Sequence, residues 1–267
     1  MTIKSPNISV CVIGLWHLGT VTAACLASLG IDVIAFDEDE ATISDLNKGI
    51  PPISEPGLSS LISEGIKSNK LHFTYSKKDL SDKDIFWITY DTPVNYDDSA
   101  DQKFVINKIK NILGIINSKS SLIISSQLPI GTCDSLSKFY KDTYKDNLDI
   151  FYIPENLRLG KSLEVFLKPD RIVIGSEKSK KDTKVSKLIS YITDNQIWMS
   201  INSSEMAKHA INSFLATSVV FANEIASICE LVGADAKDVS KALKSEGVVG
   251  VLTGKEIADD KIGGLIA

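Results

Sequence analysis

Several shortages in this sequence narrow what the chain can be. Cysteine is sparse: Cys11, Cys25, Cys133 and Cys229 are the only four, and they lie far apart. No two have the spacing of a zinc site or a redox pair, so no metal centre is expected, and reduced, buried thiols in the cytosol are the default. Positive charge is not in excess, with 29 Lys and Arg against 34 Asp and Glu and a formal net charge of -5. That balance argues against nucleic acid or an anionic membrane surface as a partner. The densest lysine run, Lys178 to Lys187, reads as a solvated helix face. No uninterrupted apolar stretch approaches the ~20 residues that span a bilayer. The N-terminus lacks a basic region followed by an apolar run and a cleavage site, so no leader is expected and a cytoplasmic location is. Internal repeats and low-complexity segments are also missing. What remains, 43% hydrophobic and 24% charged residues, is the composition of a globular chain with one large or two ordinary domains.

The apolar residues that are present come in short runs. Ile8 to Ile13 is almost wholly apolar and β-branched, which suits a central parallel strand covered on both faces. Val33–Phe36, Leu71–Tyr75, Ile85–Thr89, Leu122–Ser126 and Ile150–Ile153 are further strand candidates, with Arg171–Gly175 and Ile197–Met199 as the last. Between them, helices are expected from about Thr20 to Leu29, ended by Gly30, and over Asp39–Asn47. Pro56 is placed to start another through Ile66, with more near Val105–Ile116 and Cys133–Tyr144. This alternation predicts an α/β fold with a doubly wound, mainly parallel Rossmann-like sheet over roughly residues 1–200. The character then changes. Ser203 to Val232 has no breaker and carries apolar residues around much of its circumference, with Met206, Phe214, Phe221 and Ile228 on one stripe and Ile211, Leu215, Val219 and Cys229 on another. Such a helix is expected to be buried on several sides and to build a homodimer. Gly233 closes it, and residues 201–267 read as the start of a helical domain.

One turn carries recognisable chemistry. Gly14-Leu15-Trp16-His17-Leu18-Gly19 sits where the first strand meets the first helix. The first glycine allows the tight turn, the last allows close packing of helix on strand, and the helix end offers N–H groups to a pyrophosphate. Asp37, 23 residues after Gly14, closes the second strand, where an acid accepts hydrogen bonds from an adenosine ribose. A carboxylate there repels a 2′-phosphate and favours NAD over NADP. Trp16 stands where the usual fingerprint has its middle glycine. His17 is read as making a local hydrogen bond within the cofactor turn, with no catalytic role.

A set of segments in order along the chain resembles the UDP-glucose/GDP-mannose dehydrogenase family. They are Leu46-Asn47-Lys48-Gly49 with Ser54-Glu55-Pro56-Gly57-Leu58; Asp91-Thr92-Pro93; Pro129-Ile130-Gly131-Thr132; Pro154-Glu155-Asn156-Leu157-Arg158-Leu159-Gly160; Phe166-Leu167-Lys168-Pro169-Asp170-Arg171; and Ser204-Glu205-Met206-Ala207-Lys208-His209-Ala210-Ile211-Asn212. The resemblance implies oxidation of a nucleotide-sugar primary alcohol to the acid with NAD, on a UDP-sugar first of all. It places Thr92, Pro93 and Gln127 with the turn and Asp37 around the cofactor. It makes Glu155 the base or water-positioning group for thioester hydrolysis, and gives Lys208 and Asn212 the developing oxyanion. Lys208 and Asn212 are spaced i and i+4, so one helix face carries both.

Three departures accompany the resemblance. The family's nucleophilic cysteine is expected beyond the central helices, and the sequence stops at Ile262-Gly263-Gly264-Leu265-Ile266-Ala267, short of it and of a nucleotide-sugar-binding domain. None of the four cysteines is expected to replace it, so these residues alone are expected to make no sugar acid. Leu159 stands where many members have a second carboxylate, and Gln127 where many have a threonine. Two other readings stay open: a β-hydroxyacid dehydrogenase that uses a helix lysine without covalent catalysis, and an NAD-binding, dimerising chain that catalyses nothing.

Overall fold

The computed structural model describes residues 8–97, 99–177 and 183–245. The sequence's last segment and three lysines of the dense run, Lys178, Lys180 and Lys181, lie outside the described residues. The chain forms two compact units, Met1–Met206 and Ala207–Ala267.

The first unit is built on strands β1 (Ser9–Ile13), β2 (Asp32–Phe36), β3 (Leu71–Thr74), β4 (Ile85–Ile88), β5 (Ser121–Ile124), β6 (Asp149–Tyr152), β7 (Ile172–Ser176) and β8 (Gln196–Ser200). They join in one sheet with the order β3-β2-β1-β4-β5-β6-β7-β8. Every pairing is parallel except β6 with β7, which meet antiparallel at Tyr152 and Gly175. The doubly wound sheet expected from the alternating runs is therefore present, with each strand within two residues of its expected bounds.

Alternation along the strands makes two cores. Val10 and Val12 of β1, with Ile85 and Trp87 of β4, face one layer of helices: α1 (His17–Ser28), α2 (Glu40–Asn47), α3 (Leu58–Lys67), α6 (Ser162–Leu167) and α7 (Thr183–Ser190). Cys11, Ile13, Phe86 and Ile88 face the other, formed by α4 (Gln102–Leu113) and α5 (Thr132–Tyr144), with Ile201 at its edge. Strands so covered need no alternation with polar residues, which is why β1 and β4 read as unbroken apolar runs.

Local details depart from expectation in two places. Helix α3 begins after Gly57, which holds φ +84, and not at Pro56. A left-handed N-cap needs glycine, whereas proline would need φ near −65°. Helix α6 was not anticipated, being only six residues long, whereas α7 overlaps the lysine run read as a helix face and carries Lys184 and Lys187.

Helix α8 (Ile201–Val232) and α9 (Ala236–Ser245) follow, with Gly233 at φ +71 between them. The helix α8 was expected to be buried on several sides, and in the single chain it is not. Phe214, Leu215, Val219, Phe221 and Ile228 are all exposed. Apolar periodicity registers a need for cover, and among the described residues the chain does not supply it. The helix also has an 18-residue window of mean hydropathy 1.5, of which 6% is buried. By length and composition it could cross a membrane, contrary to the expectation from contiguous runs. Scattered Ser, Thr and Asn interrupt the run without lowering the average enough.

Candidate functional site

The strand order reverses between β1 and β4, and the carboxyl ends of those two strands open a crevice there, the place where open α/β sheets bind ligands. The Gly14–Gly19 turn fills one side of it. Gly14 holds φ +96, and its N–H donates to the Phe36 carbonyl at 3.0 Å. A Cβ at Gly14 would lie 2.9 Å from the Tyr90 backbone nitrogen, and one at Gly19 would lie 1.8 Å from the Gly14 carbonyl oxygen. Gly14 is thus required by conformation and by backbone approach, and Gly19, within α1, by backbone approach alone. Thr89 closes the turn from β4, its hydroxyl 3.0 Å from the Ile13 carbonyl and 2.9 Å from that of Gly14.

The turn fits a dinucleotide. Trp16 is the N-cap of α1 but provides no side-chain cap, and the first turn carries no acidic residue. The amide end of the helix therefore keeps its partial positive charge for an anion. Trp16 is 52% exposed, so it is not packed into the turn, and Leu18 is half-buried. Asp37, half-buried at the end of β2, accepts the Leu15 N–H at 2.7 Å through Oδ2 and the Asp39 N–H at 3.1 Å through Oδ1. Each oxygen retains a lone pair for a ribose hydroxyl, and the Leu15 contact aims the carboxylate at the turn. Next to it, Glu38 meets Lys77 at 3.0 Å and also Lys108, and the Lys108 hydrogen bond leads the contacts that hold its carboxyl below the usual range.

On the β4 side, Asp91, Thr92 and Pro93 leave the sheet toward the same crevice. The Thr92 hydroxyl donates to the Gln127 carbonyl at 2.8 Å, joining the ends of β4 and β5. The Pro93 carbonyl accepts the Asp101 N–H at 2.7 Å. Glu155 follows β6; its Oε1 accepts the Leu157 N–H at 2.6 Å, which fixes the carboxylate against its own loop. Desolvation first, then the Glu155 charge, push the Asp91 carboxyl above its usual range, while His17 draws it back.

Lys208 and Asn212 belong to the second unit. They are one turn apart on α8, with Lys208 buried and Asn212 half-buried. The expectation that Lys208 is not fully solvated agrees with this burial.

Two residues escaped the sequence reading as contributors. Glu55 has no exposed side-chain surface and lies 2.8 Å from His17 Nε2. It also accepts the Gly160 N–H at 3.0 Å and the Ser162 N–H at 3.4 Å, and Ser162 Oγ lies 3.0 Å from it. Burial raises the Glu55 carboxyl, but the Gly160 N–H, His17 and Ser162 outweigh it and leave the carboxyl below the usual range. His17 accordingly makes a hydrogen bond near the turn, but to a residue 38 positions away. Glu205 is the other, fully buried, accepting the Gly131 N–H at 2.6 Å and the Cys133 N–H at 3.1 Å. A Glu ahead of a Pro in a loop, and a Glu amid small and apolar helix residues, were the available signals.

All four cysteines are free and buried. Burial pushes the Cys11 and Cys25 thiols up to about 12, and burial followed by Glu205 holds the Cys133 thiol well above its ordinary value. Thiols so placed are poor nucleophiles.

Residues 8–193 match the NAD binding domain of the UDP-glucose/GDP-mannose dehydrogenase family, and residues 202–256 match the central domain of that family. The UDP-glucose 6-dehydrogenase of Rhizobium meliloti is 33% identical over 251 residues, covering 90% of this chain and 57% of its own length. Among solved structures, a UDP-glucose dehydrogenase from Pyrobaculum islandicum superposes with a TM-score of 0.83 at 29% identity, over 91% of this chain and 58% of that one. A GDP-mannose dehydrogenase from Pseudomonas aeruginosa gives 0.82 at 26% identity, over 88% and 56%. The chain spans a little over half the length of the relatives it matches. NAD is the cofactor of its N-terminal domain, and the chain belongs to the UDP-glucose/GDP-mannose dehydrogenase family.

Proposed function

We propose that these residues form the cofactor half of an enzyme that uses NAD to oxidise the primary alcohol of a nucleotide sugar, UDP-glucose or a relative such as UDP-N-acetylmannosamine. The observation that carries the reading is the dinucleotide turn with Asp37 aimed at it, in a chain of this family. NAD supplies the hydride acceptor. Gly14 to Gly19, with Trp16, His17 and Leu18, would hold the pyrophosphate, Asp37 the adenosine ribose, and Thr92, Pro93 and Gln127 the far side of the crevice. Lys208 and Asn212, sharing a helix face, would stabilise negative charge on the substrate oxygen as hydride leaves. Glu155, anchored by the Leu157 amide, would orient or deprotonate water for hydrolysis of an acyl intermediate. Residues 1–200 would be the cofactor domain and 201–267 the start of the central one, working in the cytoplasm.

The covalent step does not fall to any of the four thiols, because all are buried and Cys11, Cys25 and Cys133 are raised. The exposed apolar face of α8 favours a homodimer, with the helix lying in the family's central domain and not in a bilayer. In the protein carrying these residues, Lys208→Ala is expected to lower NAD reduction by UDP-glucose about 100-fold or more, the usual cost of losing an oxyanion donor. The 267 residues alone are expected to bind NAD and to form no sugar acid. Nicotinamide absorbance, followed with nucleotide sugars and with small hydroxy acids, checks this. Reduction of NAD by a small hydroxy acid would show the β-hydroxyacid reading to be right instead, and binding without reduction by any alcohol, in whatever protein carries these residues, would favour a non-catalytic role.

A further inference from the structure

The Glu55 carboxylate joins three parts of the chain that are distant in sequence. His17 is the first residue of α1, Glu55 lies in the loop before α3, and Gly160 and Ser162 follow Glu155 by five and seven residues. Through Oε1 the carboxylate meets His17 Nε2 at 2.8 Å, the Gly160 N–H at 3.1 Å and the Ser162 hydroxyl at 3.0 Å. Through Oε2 it accepts the Gly160 N–H at 3.0 Å and the Ser162 N–H at 3.4 Å. Because an ionised carboxylate only accepts, the His17 proton in this contact sits on Nε2. The Ser162 hydroxyl lies 3.2 Å from the same nitrogen and 2.8 Å from the Arg158 carbonyl, so the serine ties the cluster to the Glu155 loop a second time. Gly160 holds φ +83 with open space where a Cβ would stand, so its conformation, and not crowding, brings its amide onto Glu55. Ser162 and Glu55 are both buried, where an unmatched carboxylate or amide is costly.

We propose that Glu55 is a positioning residue that couples the dinucleotide turn to the segment carrying Glu155. A dinucleotide seated on the end of α1 restrains His17. His17 restrains Glu55, and Glu55 restrains the Gly160 and Ser162 amides and with them the loop that presents the base. The coupling must be reciprocal: whatever stiffens the 155–162 loop also tightens the cofactor. The inference rests on the role given above to Glu155. Its test uses no sugar, so its failure is separable from failure of the substrate reading.

Amide hydrogen exchange at residues 156–165, with and without saturating NAD, tests the coupling. In the unaltered chain NAD is expected to slow exchange at Gly160 and Ser162 roughly 10-fold, a typical allosteric factor. His17→Asn removes the link to α1 but leaves the Glu55 contacts with Gly160 and Ser162, so protection without NAD should persist, while the NAD effect should disappear even at an NAD concentration shown by calorimetry to saturate that variant. Glu55→Gln should lose both. A purely structural Glu55 would change protection in the absence of NAD and leave the NAD effect of His17→Asn intact. Slowing by NAD that survives His17→Asn, or saturable NAD binding that leaves these amides unchanged in the parent chain, would overturn the proposal.

Discussion

Replacing Gly19 with alanine is expected to abolish useful cofactor binding and to cost about 3 kcal/mol of stability, the upper end for a group forced into a packed site. The added Cβ would lie 1.8 Å from the Gly14 carbonyl oxygen and 2.6 Å from Thr89 Oγ1. Neither neighbour can yield cheaply. The carbonyl belongs to a turn fixed by Gly14 at φ +96 and by the Gly14 N–H bond to Phe36, and Thr89 is held to the same turn by its hydroxyl. Relief requires the helix to slide away from β1, which moves the amide end of α1 off the pyrophosphate position. A displacement of about 1 Å at a reacting or binding group commonly costs roughly 100-fold. The expected loss in NAD affinity is of that order, with a melting temperature lower by roughly 6–12 °C for a domain of this size. Titration calorimetry and a thermal melt check both halves. A variant that melted normally and bound NAD normally would mean that the close approach at Gly19 is not what shapes the turn.

Glu205→Ala should be nearly as damaging, for a different reason. Helix α5 begins at a glycine N-cap, Gly131 at φ +86, which has no side chain to satisfy its own amides. Glu205 does so from the first turns of α8, accepting from Gly131 and Cys133 with its two oxygens. It also places a negative charge at the positive end of α5. Alanine leaves two amides without their acceptor, at about 1–3 kcal/mol each where water is excluded. Since Gly131 is only half-buried and Cys133 fully buried, a total near 3 kcal/mol is expected, again a fall in melting temperature of roughly 6–12 °C. Glu205→Gln keeps one acceptor and should lose less. Chemical denaturation of the three proteins measures the order, and equal stability of the alanine variant would remove Glu205 from the anchoring role.

The sheet was legible because its strands are covered on both faces and so read as apolar runs. The cofactor turn was legible because Gly14, Gly19 and Asp37 carry backbone and charge requirements that few other arrangements share. What stayed hidden depends on distance in sequence. The antiparallel entry of β7 leaves no trace, since Ile172 to Ser176 would look the same running either way. The only local mark on Glu55 is the proline that follows it, because its partners lie 38 and 105 residues away. Glu205 sits inside a helix whose pattern reports only its apolar stripes. The same pattern overstated burial of α8: it records that Phe214, Phe221 and Ile228 need cover, and cannot say whether this chain or another provides it.

The central claim is that the Gly14–Gly19 turn and Asp37 bind NAD and select it over its phosphorylated form. Calorimetric titration of the 267-residue chain with NAD and NADP tests it most directly. Saturable NAD binding is expected, with NADP weaker by at least about tenfold, or 1.4 kcal/mol, because the Asp37 carboxylate faces the added phosphate. Equal or tighter binding of NADP, or no saturable binding of either, would contradict the account.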